Sequence, residues 1–291
     1  MKLSKGEKIY VSFNYVLIIL LCTTTLYPFV YVLSASISDA TAILANQVVL
    51  LPVGVNWDSY IQIINDPLIW RSYANTIYLT VLGTAVNLLF TIFAAYPLSK
   101  KRFMGRNFFM FMITFTMWFN GGLIPLFIVF RKLNLQNSLN GLVIGFAVST
   151  FYIILLRTFF LSIPESMEES AKIDGANDMV ILIKIILPLA APALATLGLY
   201  YAVNRWNGFF WAMVLISEKT KRPLQVLLRE MIIQSKLSAE AEEMMQREGS
   251  GIIAENIKYA AIMVGTIPIL CVYPFIQKYF VKGIMIGSIK G

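Results

Sequence analysis

The sequence has no histidine, two cysteines, and charged side chains at only 14% of its positions. Each shortage excludes something. Without histidine there can be no His-ligated metal and no His-based catalytic triad. Cys22 and Cys271 lie far apart, each inside an apolar run, and form no C-x-x-C pair; they read as small core residues. No G-x-x-x-x-G-K-[ST] run occurs, so the chain carries no P-loop of its own. Any energy for work on a membrane must then come from elsewhere. A soluble domain has about 25% charged residues, so the deficit here, with 58% hydrophobic residues, points to lipid as solvent.

What is present is a series of apolar runs. About 20 apolar residues cross a bilayer as a helix. Six runs reach that length: Val11–Ser38, Ser72–Ser99, Asn107–Phe130, Leu133–Leu156, Ile185–Asn204 (continuing past Arg205 to about Ile216) and Tyr259–Gln277. The first follows Lys2, Lys5 and Lys8 and could be taken for a signal peptide. Its apolar stretch exceeds the usual signal core, and it is expected to be an uncleaved span. Lys and Arg in short loops favour the cytoplasm. Placing both termini inside puts Lys100, Lys101, Arg102, Arg106, Arg157, Lys172 and Lys184 there, and leaves Arg71, Arg131 and Lys132 in short outer loops. The +8 net charge is mostly this topological signal, and a nucleic-acid partner is unnecessary.

One stretch breaks the pattern. "EESAKIDGANDMVILIKIILPLAAP", from Glu168 to Pro192, puts acids, a lysine and an Asp-Gly pair between two apolar spans, on the predicted cytoplasmic side. Ser162-Ile163-Pro164-Glu165 reads as a capping box opening a short helix, with Met167 and Ala171 on one face. Asp174-Gly175 marks a turn, and Asn177 suits the cap of a second helix running to Leu187-Pro188. From the residues alone, a solvated loop with ordinary caps is an equally good reading.

Glu169-Ser170-Ala171, Gly175 and Ile185-x-Leu187-Pro188 resemble the EAA motif of ATP-binding-cassette importer permeases, E-A-A-x3-G-x9-I-x-L-P, with Ser170 in place of its first alanine. Asp174 and Ala176 beside the glycine are usual in sugar-transporting members. "FNGGLIPLFIVFRKLNLQNS" from Phe119, "RWNGFFWAMVLI" from Arg205 and "FVKGIMIGSIKG" from Phe280 are similar to other parts of carbohydrate permeases. The likeness extends over almost the whole chain and is nearest to the maltose-type second subunit in its oligosaccharide branch. The resemblance implies an all-α membrane protein of six transmembrane helices with the type I importer permease fold, a single transmembrane domain over 1–291. It places a cytoplasmic coupling loop at 162–180 and an extracellular loop at 217–258. It implies a plasma-membrane location in a bacterium and import of oligosaccharides. The implied partners are a second permease, two ATPase subunits that bind ATP and Mg, and an extracellular sugar-binding protein. Glu169 would pair with a basic ATPase residue, Ala171 would allow close helix approach, and Gly175 would permit the bend. The tail residues Gly283, Gly287, Lys290 and Gly291 would reach the ATPase. No cofactor or metal belongs to this chain, and it is not itself expected to be an enzyme.

Other residues point to the cargo. Arg205 is the one charge well inside a predicted span, where it costs about 2.5–3.5 kcal/mol unless it faces protein or water. Contact with a sugar and pairing with a partner subunit both satisfy it. Asn204, Trp206 and Asn207 suit sugar binding, whereas Trp211 reads as part of an interfacial belt. Asn120-Gly121-Gly122 with Pro125 should kink the third span beside the path. In the outer segment from Ser217 to Lys258, "RPLQVLLREMIIQ" has helical periodicity, and docking of a binding protein or capping of the bundle would both use it. An ion-driven secondary transporter is the competing class; no acidic residue lies in any span to serve it. For a membrane-bound enzyme the sequence offers no histidine, metal cluster or intramembrane carboxylate pair. A nearer alternative keeps the importer and changes the cargo to a peptide or glycerol phosphate.

Overall fold

The computed structural model describes residues 4–245, 256–272 and 274, and every regular element among them is helical. The chain gathers into two compact units, Met1–Ile69 with Leu227–Ile269, and Trp70–Val226 with Leu270–Gly291. The capping box at Ser4 and Glu7 opens the first helix, α1 (Lys5–Ser36); none of its most apolar window is buried. At 1.5 Å per residue its 32 residues span about 48 Å, enough to cross a bilayer. Short helices α2 (Ala40–Leu44) and α3 (Asp58–Asn65) follow. The loop between them is tied to the end of α1, with Ser34 Oγ donating to the Leu50 carbonyl at 2.6 Å and the Val53 amide donating to Ser38 Oγ at 3.1 Å.

The second long helix, α4 (Pro67–Ser99), presents Asn87, Thr91 and Ala95, four apart, on one buried face. After it the spans are broken. α5 (Arg106–Trp118) and α6 (Leu123–Lys132) meet at 117°. The expected kink in the third span is therefore a reversal, carried by Gly122 at φ +86. Asn120 Oδ1 accepts the Gly122 amide at 2.9 Å, a local turn bond. The run Leu133–Leu156 is likewise not one helix: α7 (Leu139–Gly145) and α8 (Thr150–Leu161) meet at 51°. The fifth run bends by 80° at Ala190, between α9's successor α10 (Asp178–Leu189) and α11 (Ala191–Asn207), where α9 is Glu165–Ile173. Beyond Asn207 the helix stops and resumes as α12 (Phe210–Leu215).

Prolines stand on both sides of the bend at Ala190, Pro188 in α10 and Pro192 in the first turn of α11. A proline ring inside a helix clashes with the carbonyl four residues back. Ahead of Pro188 the backbone widens into a π-turn over Leu182–Ile186, with the Leu187 amide bonded to the Leu182 carbonyl. The last described elements are α13 (Leu224–Met245) and α14 (Asn256–Val272). In the first unit Tyr259 of α14 packs edge-on against Tyr31 at 5.8 Å, and Asn256 Nδ2 donates to the Ser38 carbonyl at 2.9 Å. Among the described residues two helices are each long and apolar enough to cross a membrane, or up to five spans if each bent pair counts as one. The expected sixth, Tyr259–Gln277, is described only as far as α14 and residue 274.

The break after α7 depends on Gly145. A Cβ there would overlap the ring of Phe130, which is buried. Gly145→Ala is expected to lower stability by about 1–3 kcal/mol, as overpacking does. Thermal melting in detergent checks this, with Gly6→Ala, in α1 with open space around it, as the control that should not melt lower.

Candidate functional site

The segment that carries the EAA resemblance lies in the second unit. Its entry differs from the expected capping box. Ser162 closes α8, its Oγ donating to the Phe159 carbonyl at 2.7 Å, and α9 starts after Pro164 with no side-chain cap. Proline at that point presets the backbone, so the serine is not needed there. The exit is as expected. The Ala176 amide bonds the Ala171 carbonyl at 2.9 Å, the Gly175 amide bonds the Lys172 carbonyl at 3.0 Å, and Gly175 has φ +81. This is a Schellman ending, which needs a left-handed residue where the glycine stands. Asn177 then caps α10, its Oδ1 accepting the Val180 amide at 2.9 Å.

The two faces of α9 do different things. Ala171 and Glu168 point inward. Ala171 joins a core of Ala95, Leu98, Leu156, Phe160 and Ile181, so its small size serves packing within the chain. Glu168 pairs with Lys100 at the end of α4. Two more bridges follow in register: Lys101 to Glu165 at 2.8 Å, and Arg102 to Asp178 at the start of α10. The Lys101 ammonium, first by its hydrogen bond and then by its charge, holds the Glu165 carboxyl below the usual carboxylate range. Three consecutive cations thus strap the loop to the end of a long helix. Glu169 and Ile173, four apart, share the outward face. Glu169 is exposed and makes no ion pair among the described residues, and Ile173 is 87% exposed. Ser170 and Asp174 are exposed, Ala176 and Leu187 half-buried, and Pro188 exposed.

A cavity of about 460 Å³ opens among α4, α7, α8, α11 and α12 of the same unit. Tyr201, Asn204 and Arg205 line it at helical spacing on α11, with Asn207 at its end. Tyr152 faces them from α8, its ring edge-on to Tyr201 at 4.6 Å and its hydroxyl accepting from Asn204 Nδ2 at 3.1 Å. Trp211 lines it from α12, packed on Phe146 at 5.5 Å. Asn204, Arg205 and Asn207 therefore come together; Trp206 and Asn120 are not in the lining. Trp211, expected in an interfacial belt, lines the cavity instead, because the break at Gly208–Phe209 turns α12 so that it faces inward. Tyr152, Tyr201 and Asn87 were missed. The signal for Asn87 was an amide in the middle of an apolar run.

Arg205 is engaged by the protein. Nε donates to Asn87 Oδ1 at 3.0 Å, Nη1 to the Leu142 carbonyl at 2.9 Å, and Nη2 to the carbonyls of Val143 and Phe146 at 3.1 and 2.7 Å. These are the carbonyls left open where α7 ends, and lipid would not satisfy them. Gly83 makes room: a Cβ there would stand 2.8 Å from Arg205 Nε. Gly283, Gly287, Lys290 and Gly291 lie outside the described residues, as do residues 246–255 of the segment 217–258.

Broken spans, a polar cavity and a strapped, outward-facing loop together define a membrane permease subunit. The comparisons make the class specific. Residues 87–286 match the family described as binding-protein-dependent transport system inner membrane component, and the chain belongs to that family. It is 42% identical over 265 residues to the polygalacturonan/rhamnogalacturonan transport system permease protein YtcP of Bacillus subtilis (strain 168), covering 91% of this chain and 92% of that one. It is 26% identical over 270 residues to the arabinooligosaccharides transport system permease protein AraQ of Halalkalibacterium halodurans, covering 91% of each. A chain from the crystal structure of a bacterial ABC transporter involved in the import of the acidic polysaccharide alginate superposes with a TM-score of 0.86, at 44% identity, over 96% of this chain and 99% of that one.

Proposed function

We propose that this chain is one permease subunit of an ATP-driven importer that carries oligosaccharides across the plasma membrane. Relatives named for polygalacturonan/rhamnogalacturonan, arabinooligosaccharide and alginate transport support the sugar. The observation that carries the mechanism is the loop over 162–180, strapped to the end of α4 by Lys100, Lys101 and Arg102 and presenting Glu169 outward. A loop so held passes a push or pull at its outer face to α4 and, through the buried face of α10, to α8 and α11. On this reading the loop docks on a cytoplasmic ATPase, one of two, which binds ATP and Mg and performs the hydrolysis. Glu169 pairs with a basic residue there, and the exposed Ile173 seats beside it. The other partners are a second, related permease and an extracellular sugar-binding protein, which docks toward the outer segment 217–258. The chain passes the membrane six times with both termini in the cytoplasm, and the tail at Gly283, Gly287, Lys290 and Gly291 reaches the ATPase. The cargo path includes Asn204, Arg205 and Asn207. A non-sugar cargo would leave the loop's role intact; an ion-driven transporter would have no use for it.

The test is Glu169→Ala in the reconstituted complex, read as ATPase stimulation by the loaded binding protein. A hydrogen bond to a charged group contributes about 1.5–3 kcal/mol, so stimulation should fall about tenfold or more with assembly unchanged. Full stimulation in the variant would reject the role given to this loop.

A further inference from the structure

We propose that the cavity among α8, α11 and α12 is a sugar subsite selective for anionic cargo, taking a uronate ring with its carboxylate toward Arg205. The inference rests on the oligosaccharide reading and deepens it. Its ground is a charge that no acidic side chain lining the cavity neutralises. The four acceptors of Arg205 are neutral: three carbonyls and one amide oxygen. No aspartate or glutamate is among the residues lining the cavity. Among the described residues the opposing field comes from the carboxyl end of α7, at most about half an elementary charge, with a smaller part from Tyr201. About half a positive charge or more is therefore left facing a cavity walled by Phe146, Phe209, Phe210 and Trp211. In such surroundings a residual charge acts more strongly than in water.

Geometry agrees with the charge. A guanidinium has five N–H groups, and four are used. The fifth, on Nη1, has no acceptor among the described residues. It offers one charge-assisted bond to a carboxylate that enters the cavity, while the other four hold the cation still. Around it, the amides of Asn204 and Asn207 and the hydroxyls of Ser149 and Tyr152 suit sugar hydroxyls. The ring of Trp211 suits a pyranose face. The volume falls within the range of small-ligand sites, about 300–1,000 Å³.

The test adds a charge without touching the four bonds of Arg205. Proteoliposomes holding the whole importer and its binding protein are assayed for uptake of trigalacturonate and of neutral arabinotriose. Asn207→Asp is compared with Asn207→Ser, so that both lose the amide and only one gains a carboxylate. Trigalacturonate uptake should be at least about tenfold lower in the Asp variant than in the Ser variant. If Asn207→Asp does not assemble, Val148→Asp against Val148→Ser makes the same comparison in the same cavity. Equal uptake in a pair overturns the proposal. Wild-type uptake of arabinotriose without trigalacturonate also overturns it, and leaves the oligosaccharide reading standing. Uptake of neither sugar overturns this inference.

Discussion

Replacing Glu168 with alanine is expected to destabilise the chain far more than replacing its neighbour Glu169. The side chains of Lys100 and Glu168 are only 14% and 12% exposed. Removing one partner leaves the other's charge buried and uncompensated, at a cost of about 3–5 kcal/mol. Lys100 keeps the face of Tyr96, 4.6 Å from its nitrogen, and a weaker charge interaction with Glu165. The two outer straps differ. Lys101–Glu165 and Arg102–Asp178 have more than half of each side chain exposed, and such pairs contribute about 0–1 kcal/mol. So Glu168→Ala should lower the melting temperature in detergent sharply, and Glu165→Ala should barely move it. The double variant Lys100→Met with Glu168→Leu should recover much of the loss, since an apolar pair can replace a buried ion pair. If Glu168→Ala and Glu165→Ala melt alike, the inner strap is no anchor.

The Glu168–Glu169 contrast shows what the sequence could and could not convey. The motif's spacing located the loop, its turn at Gly175 and the cap at Asn177, because a Schellman ending and an Asn cap are local chemistry. Which of two adjacent acids faces inward depends on where Lys100 stands, and that is set by packing 68 residues away. The apolar runs located the spans, since composition alone separates lipid-facing segments from loops. They did not reveal the breaks at Phe119–Gly122 and Phe146–Ser149. A broken helix stays apolar throughout, and its interruption depends on groups elsewhere that satisfy the freed backbone. Glycines marked the first break. The second was marked only by Gly145, whose reason is the ring of Phe130. Arg205 stood out as a charge inside a span, yet its partners on α4 and α7 were invisible until the fold brought them together.

Those partners make Arg205→Leu the substitution expected to do most harm to the second unit. The Phe146 carbonyl would keep a donor, because Asn87 Nδ2 also reaches it at 2.8 Å. The Leu142 and Val143 carbonyls and Asn87 Oδ1 would lose the donor that Arg205 supplies. A buried group left unsatisfied costs about 1–3 kcal/mol, and here several are lost together. The complex should therefore accumulate poorly or melt well below wild type, with or without cargo. Arg205→Lys should recover only part, since an ammonium keeps the charge but not the planar fork that reaches four acceptors. Gly83→Ala should act in the same direction more weakly, pushing the guanidinium from its seat without removing it. A residue that served cargo alone would behave otherwise: its loss would reduce uptake and leave melting unchanged. Melting and uptake measured side by side on Arg205→Leu and Arg205→Lys therefore separate the cap from the subsite. If Arg205→Leu melts like wild type, the break after α7 is held by something other than this side chain. If Arg205→Lys regains stability but not trigalacturonate uptake, the same guanidinium both closes a helix and meets the cargo, and the two roles differ in which N–H they use.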